Sequence, residues 1–198
     1  MTTVAAAVLA AGRGIRFGGD VPKPLLSIGG EPLLVHALRA AHFSGLTPVV
    51  CVSSDERVAA VVPAGVLLGW NDAPERGISS SLHAALRALE PDDSIDAVVV
   101  GLADQPRVGA EAYARVGSVD AELAVATYAG RRGNPVRIAR SRWPDALALT
   151  GDEGARALFG RFGVAEVPCD GTGVPDDIDT PEDLAQLEST WRSQTASE

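Results

Sequence analysis

One stretch near the start of the chain combines glycines with positive charge in a pattern that suits phosphate binding. It runs from Leu9 to Lys23 and reads Leu-Ala-Ala-Gly-Arg-Gly-Ile-Arg-Phe-Gly-Gly-Asp-Val-Pro-Lys. Glycine lets the backbone approach a phosphate and point N–H groups at it, and Arg13, Arg16 and Lys23 add cations to the same loop. A triphosphate needs both features. The alternative interpretation is an ordinary flexible surface loop.

The spacing of the glycines excludes two common nucleotide-binding loops. Gly12 and Gly14 fit the dinucleotide fingerprint, but Phe17 stands where its third glycine should be. A Walker A loop is excluded because no Gly-Lys-Ser or Gly-Lys-Thr opens a helix. A dinucleotide-dependent dehydrogenase is therefore disfavoured.

Two acidic segments are candidates for binding Mg²⁺. Asp104, in Gly-Leu-Ala-Asp-Gln-Pro, follows a predicted buried strand, where a carboxylate can hold Mg²⁺ together with phosphate oxygens and water. The segment 176–181 reads Asp-Asp-Ile-Asp-Thr-Pro and offers Asp177 or Asp179 as a second ligand. Three neighbouring carboxylates repel one another unless a cation or hydrogen-bond donors compensate. The alternative is capping, of a turn by Asp104 and of the last helix by the second segment.

The elements around these segments predict a single α/β domain. Apolar runs predict strands at 4–9, 49–52, 66–68, 97–102, 123–128 and 164–167. Helical spacing predicts helices at 33–41, 144–149 and 153–159. Three further helices are predicted after a capping residue: a short one from Asp55 toward Val61, one at 82–89 after Ser79 or Ser80, and the last from Pro181 after Thr180. Alternating strands and helices indicate a Rossmann-like, doubly wound, mostly parallel sheet over residues 1–192, followed by a disordered polar tail at 193–198. Ligands of such sheets bind at the carboxyl ends of strands, here just after Leu9 and Leu102.

The charge and composition of the chain disfavour some classes of binding partner. The net charge of -9 makes a nucleic acid or an anionic membrane surface a poor partner. The apolar run at 4–11 is too short to cross a bilayer and lacks a basic region before it, so we expect a cytoplasmic protein. Cys51 and Cys169 are expected to be reduced thiols without chemistry, and the three histidines show no metal-ligand spacing.

Taken together, these residues resemble the nucleotidyltransferase superfamily that makes dinucleotide forms of the molybdenum cofactor. The family pattern of Leu-Ala-Ala-Gly, then Arg, Gly and Lys, then Leu-Leu is matched within residues 9–26. Asn71 with 77–82 is similar to the family's Asn and Gly-Met-Ser-Ser-Ser-Leu, and 102–106 to its Leu-Ala-Asp-Gln-Pro. Residues 133–135, 151–156 and 177–184 continue the match, which spans roughly 4–190. The chain departs from the pattern at Asn134, where the family often has His, and by a Val-Pro insertion before Lys23.

The resemblance implies a fold of the nucleotide-diphospho-sugar transferase type and a Mg²⁺-dependent reaction. In that reaction the phosphate of a molybdopterin-type acceptor attacks the α-phosphate of CTP, and pyrophosphate leaves. A phosphate monoester has a second pKa of about 6, so no general base is needed. The resemblance implies catalytic roles for Arg13, Lys23 and Asp104, and Mg²⁺ on Asp104 with Asp179.

The resemblance also implies two substrate sites. The nucleotide site would comprise Leu9, Ala10, Ala11, Gly12, Arg13, Gly14, Lys23, Asn71, Ser79, Ser80, Ser81 and Asp104. The acceptor site would comprise Gly133, Asn134, Pro135, Asp152, Gly154 and Arg156. For the segment 152–154 the alternative is a plain helix start. Guanine users of the superfamily tend to have Gly where Ala11 stands, so the resemblance favours CTP.

Other functions stay open at this point. One is transfer of GMP to molybdopterin or to another small phosphate, and a sugar-phosphate or methylerythritol-phosphate nucleotidyltransferase is a further relative. A nucleotide sensor without activity is an alternative from another class, disfavoured because Lys23 and Asp104 are both present. The resemblance also suggests a molybdoenzyme under maturation as a partner. The sequence does not indicate which oligomeric state the protein has.

Overall fold

A seven-stranded sheet covered by helices on both faces forms the body of the protein. The computed structural model describes residues 2–12 and 20–195, with side chains described as far as Trp191. The strands are β1 Thr3–Leu9, β2 Ser27–Ile28, β3 Glu31–Pro32, β4 Val49–Ser53, β5 Leu67–Trp70, β6 Ile95–Leu102, β7 Leu123–Tyr128, β8 Arg131–Ala139 and β9 Ala165–Pro168. The helices are α1 Leu33–Phe43, α2 Glu56–Ala59, α3 Ile78–Leu89, α4 Ala110–Ser118, α5 Trp143–Leu147, α6 Phe159–Phe162 and α7 Pro181–Thr195.

The strand order confirms the predicted doubly wound, mostly parallel sheet. It is β5-β4-β1-β6-β8-β7-β9, and among the described strands of this sheet only β8 runs against its neighbours. β2 and β3 form a separate hairpin. Strand β8 was not predicted from the sequence, because Arg131 to Pro135 carries charged residues, glycine and proline that are typical of a loop.

Strand β1 shows why the apolar runs are continuous. Ala5, Ala7 and Leu9 point to the face covered by α3 and α5, whereas Val4, Ala6 and Val8 point to the face covered by α1 and α4. A strand that is buried on both faces needs apolar side chains at every position rather than at alternate ones.

Both cysteines are buried and unpaired, and burial raises the pKa of Cys51 to about 12.

The last helix is held by a third, smaller core. Ile28 and Leu33 pack there against Ile178 and Leu187. Thr180 caps the helix as predicted, because its Oγ1 accepts from the backbone N–H of Asp183 at 3.1 Å. The helix continues to Thr195, so residues 193–195 of the predicted disordered tail are helical. Residues 196–198 lie outside the described residues.

Candidate active site

The loops after β1 and β6 emerge side by side at the carboxyl edge of the sheet. Leu9 is paired with Leu102 in the parallel ladder, and the N–H of Ala103 donates to the carbonyl of Leu9 at 3.0 Å. A cavity of about 420 Å³ opens at this point. Its wall includes predicted nucleotide-site residues from both loops and from α3: Leu9, Ala10, Ala11, Gly12, Lys23, Ser81 and Asp104.

Lys23 joins the two predicted metal ligands at the edge of this cavity. Its Nζ lies 2.6 Å from Oδ2 of Asp104 and 2.7 Å from Oδ1 of Asp179. The Lys23 side chain is only 11% exposed, compared with 27% for Asp104 and 43% for Asp179. Burial alone would lower the pKa of Lys23, but the charges and hydrogen bonds of the two carboxylates outweigh it and raise that pKa above its ordinary value. The ammonium therefore stays charged at neutral pH.

The start of α7 explains why Asp179 is available to Lys23. Capping is carried out by its neighbours, since Oδ2 of Asp183 accepts from the N–H groups of Asp179 and Thr180 at 3.0 and 2.8 Å. This reciprocal arrangement of Thr180 and Asp183 is a capping box. The N–H of Ile178 donates to the backbone carbonyl of Asp104 at 3.0 Å, which ties the two acidic segments together.

Asp177, the other acid considered as a second metal ligand, faces a different partner. Its Oδ1 accepts from Nε2 of Gln105 at 2.9 Å. Partial burial and the negative charges of Asp104 and Asp179 raise the pKa of Asp177. The described residues contain no group of three or more His, Cys, Asp or Glu side chains placed to hold a metal by themselves.

The serine segment at the start of α3 behaves differently from the prediction. The helix begins at Ile78 after Gly77, and no serine side chain caps it. Ser79 donates instead to the carbonyl of Gly151 at 2.8 Å, and Ser80 donates to the carbonyl of Gly77 at 2.7 Å. The predicted serine cap is therefore wrong, because the backbone of a distant loop competes for the hydroxyl of Ser79.

Asn71, Ser79 and Ser80 line a separate cavity of about 540 Å³ rather than the first one. The Nδ2 group of Asn71 donates to Ser80 Oγ at 2.9 Å and to Ser81 Oγ at 3.0 Å, and its Oδ1 accepts from the N–H of Ala73 at 3.0 Å. Asn71 therefore positions the serine segment. Ser81 alone of the four lies on the wall of the first cavity.

A second cavity of about 440 Å³ adjoins the first and contains most of the predicted acceptor residues. The two cavities share Leu9, Ile78, Leu102 and Asp152. The predicted acceptor residues on the wall of the second cavity are Asn134, Asp152, Gly154 and Arg156. Gly133 and Pro135 are buried and do not line the cavity; Gly133 packs closely on the ring of Tyr128.

Two residues on this wall, Gln105 and Asp177, had no acceptor role in the sequence prediction. Gln105 lies in the matched segment beside Asp104, and this adjacency is the signal that could have identified it. Arg13 and Gly14, predicted to bind the triphosphate, lie outside the described residues.

Comparisons with known proteins agree with this geometry. The family of MobA-like NTP transferase domains matches residues 6–167. Purine catabolism protein PucB of Bacillus subtilis is 30% identical over 197 residues, which cover 88% of this chain and 91% of PucB. A 2-C-methyl-D-erythritol 4-phosphate cytidylyltransferase of Streptomyces coelicolor is 35% identical over 132 residues, or 54% of this chain. This match spans only about half (47%) of the length of the cytidylyltransferase.

Solved structures resemble the whole chain. The crystal structure of a homologue of Mycobacterium tuberculosis Rv0371c, from Mycobacterium sp. strain JC1, has a TM-score of 0.84 and 30% identity, covering 96% of this chain and 98% of that one. The Rv0371c complex with manganese has a TM-score of 0.79 and 28% identity, covering 96% and 100%. Among the described residues, no helix is long and apolar enough to cross a membrane. With its central sheet, its paired cavities and a family match over most of its length, the chain belongs to the family of MobA-like NTP transferase domains.

Proposed function

We propose that the protein transfers CMP from CTP to the phosphate of a molybdopterin-type acceptor and releases pyrophosphate in a Mg²⁺-dependent reaction. The observation that carries the proposal is the Lys23 ammonium between Asp104 and Asp179 at the edge of a cavity built from the loop after β1. The nucleotide would occupy the first cavity and the acceptor the second. Their shared wall would bring the reacting phosphates together.

The chemistry asks for positioning and charge neutralisation rather than proton abstraction. A phosphate oxygen of the acceptor forms a bond to the α-phosphorus in line with the bond to the leaving pyrophosphate, which breaks. Because a phosphate monoester is largely dianionic at neutral pH, the nucleophile needs no base. Lys23 would meet the charge that grows on pyrophosphate, and the backbone N–H groups near Ala11 and Gly12 would orient the nucleotide.

A divalent cation fits the donor set of this site. Asp104 and Asp179 offer two carboxylates that converge on one point, and Mg²⁺ is commonly held by one or two carboxylates together with substrate phosphates and water. When bound, Mg²⁺ would supply charge neutralisation and help to align the phosphates. The relative solved with manganese supports a divalent ion of this kind.

The preference for CTP rests on Ala11, which is 4% exposed and lies on the wall of the first cavity. Its methyl group reduces the room for a purine, and the cytidylyltransferases among the relatives support the same base. Transfer of GMP is the second candidate, since one methyl group discriminates by only about 1–3 kcal/mol. The molybdopterin-type acceptor, and a molybdoenzyme as the receiving partner, rest on the sequence resemblance.

The test is a screen of CTP, GTP, ATP and UTP against phosphorylated acceptors, with pyrophosphate release as the readout. We expect release with CTP and a molybdopterin-type acceptor that stops when EDTA removes divalent cations. The Asp104→Asn variant is the control for contaminating activity. Binding of nucleotide without pyrophosphate release for any acceptor would favour a sensor.

A further inference from the structure

The outer edge of the central sheet at β5 has backbone groups that point away from the sheet. Strand β5 stands first in the strand order, and its one described neighbour in the sheet is β4. The N–H of Asn71, directly after β5, donates to the carbonyl of Ser53 in β4 at 2.9 Å. Successive residues of a strand turn their backbone groups to opposite sides. The N–H and carbonyl groups of Leu68 and Trp70 therefore point outward.

The other edge of the sheet, formed by β9, is protected against pairing with a further strand. The N–H of Cys169 donates to the carbonyl of Thr127 in β7 at 2.8 Å, so the same alternation turns the backbone of Glu166 and Pro168 outward. Proline has no N–H to offer at this edge. Glu166 is an exposed charge paired with Arg132. Charged residues and proline are the means by which natural sheets prevent pairing at an edge.

Strand β5 lacks this protection. Residues 67–70 include neither a charged residue nor a proline. The outward-pointing residues Leu68 and Trp70 are 46% and 43% exposed, and Leu67 is 44% exposed. An exposed apolar edge strand is a template for pairing with another chain, and tryptophan is among the residues that contribute most to binding at interfaces. These features indicate that β5 is an interaction surface.

We infer that β5 pairs with β5 of a second copy of this chain, in antiparallel orientation about a two-fold axis at Gly69. In this register Leu68 lies opposite Trp70 of the partner subunit, and the axis generates the same pair a second time. Each pair exchanges two backbone hydrogen bonds, because both of its residues turn their N–H and carbonyl groups outward. The paired side chains lie on one face of the sheet, so each leucine packs on a tryptophan ring. The interface uses the same patch on both copies, as two-fold symmetry requires.

The charges at the two ends of α3 match a second copy of the chain. A methyl group at Gly69 would lie 3.1 Å from the carbonyl oxygen of Ala84, so the axis passes close to the middle of α3. It therefore brings the start of one α3 beside the end of the other. Arg76 precedes the helix, Glu90 follows it, and both are exposed. Neither side chain has an ion-pair partner in the part of the chain that the structure describes. In the dimer Arg76 pairs with Glu90 of the partner subunit.

The mass of the full chain in solution tests the inference independently of the proposed function. Sedimentation velocity and thermal unfolding are measured across about a hundredfold range of protein concentration. We expect the wild type to reach twice the mass of one chain, and its Tm to rise with concentration because only the folded state dimerises. A monomer throughout this range, with a constant Tm, would overturn the inference.

Variants of β5 test whether this edge forms the interface. Leu68→Lys adds a charge to the edge and should raise the dissociation constant of the dimer by at least about a hundredfold. Trp70→Thr keeps a residue suited to a strand, removes the ring and should raise it by about tenfold or more. Phe43→Lys is the matched control, because Phe43 is an apolar residue of α1 that is 72% exposed and lies outside this surface. Thermal unfolding verifies that each variant is folded.

A charge exchange tests the two-fold register. Arg76→Glu and Glu90→Arg should each weaken the dimer by about tenfold, and the double variant should return to within about threefold of the wild type. Single variants without effect, or a double variant as weak as the singles, would overturn the antiparallel register. A dimer that Leu68→Lys leaves intact, or that Phe43→Lys disrupts equally, would overturn the assignment of the interface to β5.

Discussion

Replacement of Lys23 by methionine tests the arrangement at the centre of the site. Methionine keeps an unbranched side chain of similar length and removes the charge that lies between Asp104 and Asp179. Lys23 is the only lysine in the chain, so all other positive side chains are arginine or histidine. The change removes the ammonium that lies between the two carboxylates and leaves their mutual repulsion in place.

The magnitude follows from the exposure of the three groups. Removing one partner of a fully buried ion pair costs about 3–5 kcal/mol, and an exposed pair contributes about 0–1 kcal/mol. Because Lys23 is 11% exposed and Asp179 is 43% exposed, we expect a loss of about 1–2 kcal/mol in the free energy of unfolding. For a domain of this size that lowers Tm by about 3–6 °C. Because the pKa of Lys23 is raised in the folded state, its contribution to the free energy of unfolding is fully present below the ordinary lysine value of 10.5. That contribution is lost only as the pH rises through the folded-state pKa. The assay is therefore run at about pH 7–8.

The same change should strengthen the binding of a divalent cation to the free protein. In the wild type a cation must displace the Lys23 ammonium from Asp104 and Asp179, whereas in Lys23→Met there is no ammonium to displace. We expect Mn²⁺ to bind the variant about tenfold more tightly without nucleotide, a difference of about 1.4 kcal/mol, while pyrophosphate release is lost.

Calorimetry with Mn²⁺ and thermal unfolding with and without Mn²⁺ measure both effects. Arg39→Met is the matched control, because Arg39 forms an exposed pair with Glu31 and lines neither the first nor the second cavity. It should change the free energy of unfolding by less than about 1 kcal/mol and should not respond to Mn²⁺. A Lys23→Met variant that is as stable as wild type and gains no Mn²⁺ affinity would refute the reasoning.

Four further substitutions probe the surroundings of this centre. Asp104→Asn should abolish pyrophosphate release and change the free energy of unfolding by about 1 kcal/mol, so turnover near the wild-type rate at saturating Mg²⁺ would contradict a role in metal binding. Asp183→Ala should cost about 1 kcal/mol in denaturant unfolding, because two backbone N–H groups lose their cap. Gly77→Ala should lower the free energy of unfolding by about 1–3 kcal/mol, since φ is +85° and the new methyl group collides with the carbonyl of Gly151. Its control is Gly65→Ala, at φ +88° with open space around it, which should lower that free energy by only about 1 kcal/mol. Equal losses in the two variants would argue against the collision. Ala11→Gly should relax the preference for CTP over GTP by about 10- to 200-fold in a competition assay, without reversing it, and a wild-type preference for GTP would overturn the cytidylyl assignment.

The part of the site that the sequence predicts well depends on local patterns at strand ends. Asp104 follows a continuous apolar run, and such runs are strands buried on both faces. Lys23 follows the glycine loop at the end of β1, which pairs with the strand before Asp104. Because parallel strands bring their carboxyl ends to the same edge, proximity in space follows from order along the chain.

Contacts between distant segments could not be predicted in this way. Ser79 has the residue type of a helix cap, but the carbonyl of Gly151, 72 residues away, takes its hydroxyl. Strand β8 forms between β6 and β7 although its first half has the composition of a loop. In its second half, residues 136–138 pair with both neighbours, and Arg131 and Arg132 extend the pairing with β7 alone. Gln105 donates a hydrogen bond to the carbonyl of Pro175 and accepts one from Asn134, and the sequence around Gln105 indicates neither partner.

The arrangement of charges suggests how binding of metal and nucleotide depend on each other. In the free protein the Lys23 ammonium is paired with the carboxylates of both Asp104 and Asp179, so a ligand for either the cation or the carboxylates must first displace this pairing. A triphosphate alone would draw Lys23 away and leave two carboxylates near further negative charge. A divalent cation alone would displace Lys23 with no anion to receive it. Only the two together exchange every charged partner for another, so each ligand should increase the affinity of the other by the same factor.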